Sequence, residues 1–463
     1  MIVMKFGGTS NKDARAMTNV AAIIKAHRQK NPVVVISAIA QGTNMLEQAG
    51  ISAEKGDTAH ARKSIEELFD RHHAILDALI HDSSRKGELK KYMKTSFDEL
   101  SSLIQGVAIV RECTPRTLDA FCSYGELLSS KLVAATLLET GVGSQWLDTR
   151  DFMMTDDHYT SALPLMDQIG QRLDPLVQSA FRNGLIPVTQ GFIGVTPAGV
   201  RTTMGRESSD YSASIIGAVL HAEEIQIWTD VDGVLTADPG VVPLAKKVQQ
   251  LSFGQAFDIS YFGAKVLHPH TMIPAIEQNI PVRIFNSKNP SSSGTLVTGS
   301  PAQGRSMIKS ISYKKDIVLA SITPYRRSGQ YIFWDQIFNI FTKYNIPLYL
   351  VSTSDIKIIL VFESKYLNPN LTGDLSGIGN IRISGERGLI TLVGEAIASS
   401  GDIPAQIFHA LGGIPVSCIS FGASPSSINV IVDEKTVDDA VRRLHDEFFT
   451  SDLNSGVFET IHR

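Results

Sequence analysis

Two short apolar runs near the start of the chain limit its fold more than any other feature. Ile2-Val3-Met4 is apolar and partly β-branched, and Pro32-Val33-Val34-Val35-Ile36-Ser37 is apolar almost throughout. The second pattern is that of a strand buried on both faces. Between the two, Ala16, Val20, Ile23 and Ile24 recur at helical spacing. Strand, loop, helix, strand, loop, helix in so short a stretch implies βαβ units and a parallel sheet. Ligands of such sheets gather at the carboxyl ends of the strands. The loops at those ends are Lys5-Phe6-Gly7-Gly8-Thr9-Ser10 and Ala38-Ile39-Ala40-Gln41-Gly42-Thr43-Asn44, so both face one cleft.

The first loop has the outline of a phosphate site. Two glycines let backbone N–H groups approach an anion, the helix that follows adds partial positive charge, and Lys5 adds a full one. It is not a Walker A loop, because the lysine precedes the glycines. Taken alone, Gly-Gly after a strand is usually only a turn.

Composition narrows the class. A chain of 463 residues exceeds one hydrophobic core, so about two to four domains are expected. With 43 Lys plus Arg against 47 Asp plus Glu, the net charge of −4 offers no footprint for nucleic acid or an anionic membrane. Apolar runs are all too short to span a bilayer. Cys113, Cys122 and Cys418 lack metal-ligand spacing and read as free thiols of a reducing compartment. With no signal-like segment ahead of the first strand, a cytoplasmic protein is expected.

The stretch from Ala53 to Leu103 is charged and helical, and His72-His73 reads as part of its solvated face rather than a metal site. Ser123-Tyr124-Gly125-Glu126 opens a further helix, where Glu126 could be an ordinary first-turn acid. Leu185 to Gly194 is a strand running into a Gly-rich loop. Gly205-Arg206-Glu207-Ser208-Ser209-Asp210 then precedes a helix of small residues. Ser209 and Asp210 there have capping as their plain reading. Arg206 is less routine, since its fork can take a carboxylate in bidentate fashion. The strand Ile225 to Asp230 ends in Thr229 and Asp230, suited to ribose, a lysine or metal-bound water. Phe262-Gly263-Ala264-Lys265 adds a lysine at a turn.

Near residue 300 the composition turns to Ser, Gly and Pro, and a domain boundary is expected. Beyond it lies a repeat. Gln336-Ile337-Phe338 with Ile346-Pro347 recurs as Gln406-Ile407-Phe408 with Ile414-Pro415. Each copy reads as a small αβ sandwich without a nucleophile–base pair or metal cluster, which suits a regulatory or dimerisation unit.

Four of these motifs in order, Lys5 to Ser10, Gly205 to Asp210, Trp228-Thr229-Asp230 and Phe262 to Pro269, resemble the aspartokinases, and the paired repeat is similar to the ACT pair of the monofunctional members. The resemblance implies an α/β fold: a three-layer αβα kinase domain with a mostly parallel sheet over residues 1–300, then ACT-like, ferredoxin-like domains over 306–385 and 386–463. It implies transfer of the ATP γ-phosphoryl group to the β-carboxylate of L-aspartate, the first step toward lysine, threonine and methionine. By resemblance, Lys5 stabilises the transferring group and Asp210 orients Lys5. Thr43, Glu126, Arg206 and Ser209 hold aspartate. Gly7, Gly8, Thr9, Ser10, Thr229, Asp230, Lys265, Ser287 and Lys288 hold ATP. Mg²⁺ is implied without protein ligands, as is a homodimer or larger homo-oligomer through the ACT-like domains. Thr353, Ser354 and Asp355 would line a pocket for an effector such as lysine or threonine.

The chain departs from the family pattern at Glu207, Leu235, Gly240 and Tyr349. Where Tyr349 stands, lysine-inhibited relatives place an Asp. Two alternatives therefore stay open: a catalytically weak paralogue that senses an amino acid, and a kinase for another acidic amino acid.

Overall fold

Strand alternation decides which side of the sheet each opening residue serves. In the computed structural model, which describes residues 1–205, 208–263, 269–299, 308–325, 330–354, 357–449 and 458–459, the strand Ile2–Phe6 lies at the sheet centre, between Pro32–Ile36 and Glu224–Thr229. Ile2, Met4 and Phe6 join a core with Met17, Val20 and Ile24 of the helix Ala14–Ala26 and Leu128 and Leu132 of the helix Tyr124–Glu139. Successive strand side chains point to opposite faces. Lys5 consequently belongs to the other face, where the helix Ser209–Val219 packs on this strand.

The chain divides into two compact units, Met1–Gly233 with Leu267–Pro301 and Val234–Val266 with Ala302–Arg463. In the first, the strand order is Ser144–Trp146, Ile186–Gln190, Pro32–Ile36, Ile2–Phe6, Glu224–Thr229, Val282–Asn286 and Thr295–Thr298. All neighbours are parallel except the last pair. Trp228 of the family motif is a core residue, stacked on Phe6 at 5.9 Å and Phe285 at 4.5 Å on the flanking strands. This stack sits at the strand ends and holds their loops level.

The second unit carries one six-stranded antiparallel sheet: Leu350–Ser354, Lys357–Glu363, Ile308–Pro324, Gly379–Gly394, Ser427–Asp433 and Val416–Ser420. Both repeats feed it, and Ile337 and Ile407 occupy matching, fully buried helix positions. The repeats interleave rather than follow one another. Residues 317–322 of the first long strand pair with 358–363, whereas 310–314 pair with 389–393, beyond the expected division at 385/386. By compactness alone, residues 234–263 fall with the second unit.

Two local expectations change. His72 is fully buried rather than solvated: its Nδ1 meets the Leu68 carbonyl at 2.7 Å, and burial pushes the imidazole down to about 4. The turn after Gly7 is a short 3₁₀ segment, Gly8–Asn11, ahead of a helix capped by Asp13. Cys113, Cys122 and Cys418 are free thiols. Among the described residues no helix is long and apolar enough to cross a membrane.

Candidate active site

A single charge pair sits near the carboxyl end of the central strand. Lys5 comes from the central strand, and Asp210 lies in the first turn of the helix Ser209–Val219; Lys5 Nζ stands 2.6 Å from Asp210 Oδ1. Both side chains are only partly open to solvent, at 11% and 15%. The capping reading of Ser209 and Asp210 is therefore wrong: Ser208 holds the cap position without a side-chain cap, and the Asp210 carboxylate turns to the lysine. The 11% exposure leaves part of the Lys5 side chain open to solvent.

The glycines beside Lys5 have different duties. A Cβ on Gly8 would lie 2.8 Å from the Ala38 carbonyl oxygen, so only glycine lets this loop press on the neighbouring one. Gly125 does the same from the other side, its Cβ position being 2.8 Å from Ala38 Cβ. Gly7 donates its N–H to the Trp228 carbonyl at 3.1 Å, and no side chain caps the turn that starts after it. The uncapped N–H groups of that turn are donors for an anion. Thr9 is exposed there and Ser10 is buried. Asn11, which the sequence reading overlooked, holds the loop by donating to the Gly7 carbonyl at 3.1 Å. Its only signal was an amide among small residues after a glycine pair.

Ser10 then meets the second nucleotide segment. Its Oγ is 2.8 Å from Ser287 Oγ, and Ser287 donates to the Thr229 carbonyl through Oγ at 2.9 Å and through its N–H at 2.8 Å. Lys288 Nζ lies 3.7 Å from Asp230 Oδ2. Ser10, Thr229, Asp230, Ser287 and Lys288, far apart in sequence, thus form one polar ledge at the ends of adjacent strands. Asn286 anchors it by donating to Asp232 at 3.0 Å and accepting the Lys288 N–H at 2.8 Å.

Glu126 forms the opposite wall. It lies in the first turn of the helix Tyr124–Glu139, is 3% exposed, and its Oε2 has no hydrogen-bond partner. Burial pushes its carboxyl up to about 8, against the pull of the Ala38 N–H, its own N–H and the Lys5 charge. A carboxyl so raised, with one oxygen unsatisfied, is suited to a cationic partner that arrives with a ligand. Ser209 is 7% exposed and packs so closely on Gly191 that a Cβ there would lie 2.7 Å from Ser209 Cβ. Thr43 is half-buried in the first turn of the helix Gly42–Glu54, just past Ala38. Arg206, Lys265 and Asp355 lie outside the described residues. Thr353 and Ser354 sit exposed on the strand Leu350–Ser354 of the second unit, at the edge of its sheet.

Among the described residues no group of three or more His, Cys, Asp or Glu could hold a metal ion. A lysine–carboxylate pair, an N–H cradle, a hydroxyl ledge and a buried acid make a site that can bring two anions together, one of them carrying an ammonium group.

The amino acid kinase family model matches residues 1–286 and an ACT domain model matches residues 390–448. The chain is 36% identical to the chloroplastic aspartokinase 3 of Arabidopsis thaliana, over 99% of this chain and 83% of that protein. It is 29% identical to the lysine-sensitive aspartokinase 3 of Escherichia coli, over 97% and 99%. The crystal structure of E. coli aspartokinase III with aspartate and ADP superposes with a TM-score of 0.83, at 29% identity, over 97% of this chain and 100% of that one. The chain belongs to the amino acid kinase family and, within it, to the aspartokinases.

Proposed function

We propose that the Lys5–Asp210 pair is the catalytic centre of an ATP-dependent aspartate kinase and that the surrounding groups divide into an amino-acid side and a nucleotide side. The chain phosphorylates L-aspartate, the first step of the aspartate pathway. A β-carboxylate oxygen of aspartate attacks the γ-phosphorus, the bond from that phosphorus to the β,γ-bridging oxygen breaks, and ADP leaves with 4-phospho-L-aspartate formed. Both reactants are already ionised near neutral pH, so no general base is needed. The protein's task is positioning and charge neutralisation.

Lys5 faces the transferring phosphoryl group, and Asp210 holds its ammonium in place. Glu126 receives the substrate ammonium, Arg206 the α-carboxylate, and Thr43 and Ser209 supply hydroxyls. Gly7, Gly8, Thr9 and Ser10 cradle the phosphates, while Thr229, Asp230, Lys265, Ser287 and Lys288 hold the rest of ATP. Mg²⁺ fits this donor set as an ion carried by phosphate oxygens and water, with Ser10 and Ser287 hydroxyls and Asp230 nearby on the ledge. Its chemistry when bound is neutralisation of phosphate charge.

The observation that carries this reading is the 2.6 Å Lys5–Asp210 contact beside the orphaned carboxyl of Glu126. For the second unit we propose an amino-acid effector, lysine or threonine, near Thr353, Ser354 and Asp355, and a homodimer or larger homo-oligomer through the ACT-like domains. A lysine complex is known for the E. coli relative. Here Tyr349 hydrogen-bonds Glu363 and takes the Lys314 ammonium at 2.6 Å, so an effector ammonium has a different partner than an Asp would give. A reducing, cytoplasmic setting agrees with three free thiols. Coupled ADP release tests the reaction: turnover is expected with L-aspartate and not with L-glutamate, and no turnover at millimolar aspartate with Mg-ATP would refute it.

A further inference from the structure

Asp119 is a buried carboxylate that the reaction as described does not use. It is 1% exposed, on the helix Pro115–Cys122. Its Oδ2 accepts the N–H groups of Thr160 at 2.9 Å and Thr203 at 3.0 Å, and its Oδ1 accepts the Thr203 hydroxyl at 2.6 Å. A carboxylate buried so deeply is tolerable only because three donors meet it.

The three segments it joins all run toward the amino-acid side. Thr203 ends the strand Arg201–Thr203, two residues before Gly205, where the segment bearing Ser209 and Asp210 begins. Thr160 has φ of 67°, a left-handed and strained conformation that β-branched residues rarely adopt. Its carbonyl oxygen lies against Gly205, 3.7 Å from where a Cβ would stand, and Ala162 donates to the Thr203 carbonyl at 3.0 Å. On the other side, the Asp119 carbonyl takes the Ser123 N–H at 3.1 Å, and the next helix presents Glu126 in its first turn. A second tie runs in parallel: Arg201 places its guanidinium 4.8 Å over the Tyr124 ring.

We propose that Asp119 is a positioning residue for the amino-acid substrate, setting the separation between Glu126 and the segment that begins at Gly205. This rests on the assignment of those two groups to aspartate. Without the carboxylate, Thr160 loses the bond that opposes its strain, and the loop against Gly205 relaxes. The ledge of Ser10, Thr229 and Ser287 hangs from other strands and is untouched. A purely structural carboxylate would instead lower thermal stability and affect both substrates alike.

The test compares Asp119→Ala, Thr203→Val and Thr203→Ser with the wild type, using full-length protein; alanine is chosen because an Asn amide oxygen could still accept both N–H groups. Asp119→Ala should raise KM for L-aspartate by about tenfold or more while KM for ATP stays within about twofold. Thr203→Val should move the same constant less far, and Thr203→Ser, which keeps the hydroxyl, should match the wild type. A folded Asp119→Ala protein with unchanged aspartate KM, or with both KM values raised equally, overturns the inference. If Asp119→Ala does not fold, the same split in Thr203→Val decides. Absence of aspartate turnover in the wild type overturns the assignment of the reaction, and this inference with it; normal wild-type turnover with an unaltered variant overturns the inference alone.

Discussion

Glu126 offers the sharpest prediction, because its geometry couples substrate binding to a proton. Its carboxyl is fully buried, has one unsatisfied oxygen, and titrates at about 8 in the free protein. Roughly one molecule in a hundred then carries the charge at pH 6, and half do at pH 8. If the substrate ammonium pairs only with the carboxylate, apparent aspartate affinity rises about fifty-fold from pH 6 to pH 8 and levels off above. ATP affinity should lack this slope. Initial rates at varied aspartate across that range, with calorimetry in two buffers to count protons released, check it. Glu126→Gln should remove the pH dependence and raise aspartate KM at pH 8 by on the order of a hundredfold, as expected when one partner of a buried charge pair is lost.

Stability carries the same signature with a defined sign. A carboxyl raised above its ordinary 4.5 binds its proton more tightly folded than unfolded, so its contribution is full below 4.5 and is lost as pH rises toward 8. The interval corresponds to at most about 5 kcal/mol. Wild-type melting without aspartate should therefore rise relative to Glu126→Gln as pH falls through that window. An aspartate KM flat between pH 6 and 8, with no proton release, would refute the reasoning.

The remaining predictions concern the loops and the core. Gly8→Ala should reduce kcat/KM for ATP by at least about tenfold, since the new methyl meets the Ala38 carbonyl and pushes the cradle away; steady-state kinetics reads it. His72, buried with its imidazole at about 4, has a folded value below the unfolded 6.5. The unfolded chain gains the proton first, so stability falls between pH 6.5 and 4 by up to about 3 kcal/mol. Urea melts of His72→Gln should show a shallower fall over that window. Ile337→Ala, at a fully buried position, should cost about 2–5 kcal/mol in a melt of the full chain.

The parts legible from sequence were those with local periodicity or a steric signature. The strands Ile2–Phe6 and Pro32–Ile36 announced a parallel sheet because both faces are apolar, and the Lys5-to-Ser10 loop announced an anion site because glycine permits close approach. The offset between Ile337 and Ile407 revealed the repeat, but not that residues 310–314 pair beyond residue 385, since strand partnership is non-local. His72 misled because the charged residues around it mark the exposed face of its helix, while its own position falls on the buried one. Asp210 looked like a cap because capping and ion pairing use the same residue at the same place; only the alternation that puts Lys5 on the facing side separates them. Asn11 and Asp119 carry no pattern, as their partners come from distant segments.

The most direct measurement of the central claim is chemical trapping of the product. Wild-type protein mixed with Mg-ATP, L-aspartate and hydroxylamine should yield aspartyl hydroxamate in proportion to ADP formed. Lys5→Met should lower that rate by about a hundredfold or more while remaining folded. Hydroxamate formation by Lys5→Met at the wild-type rate would contradict the account.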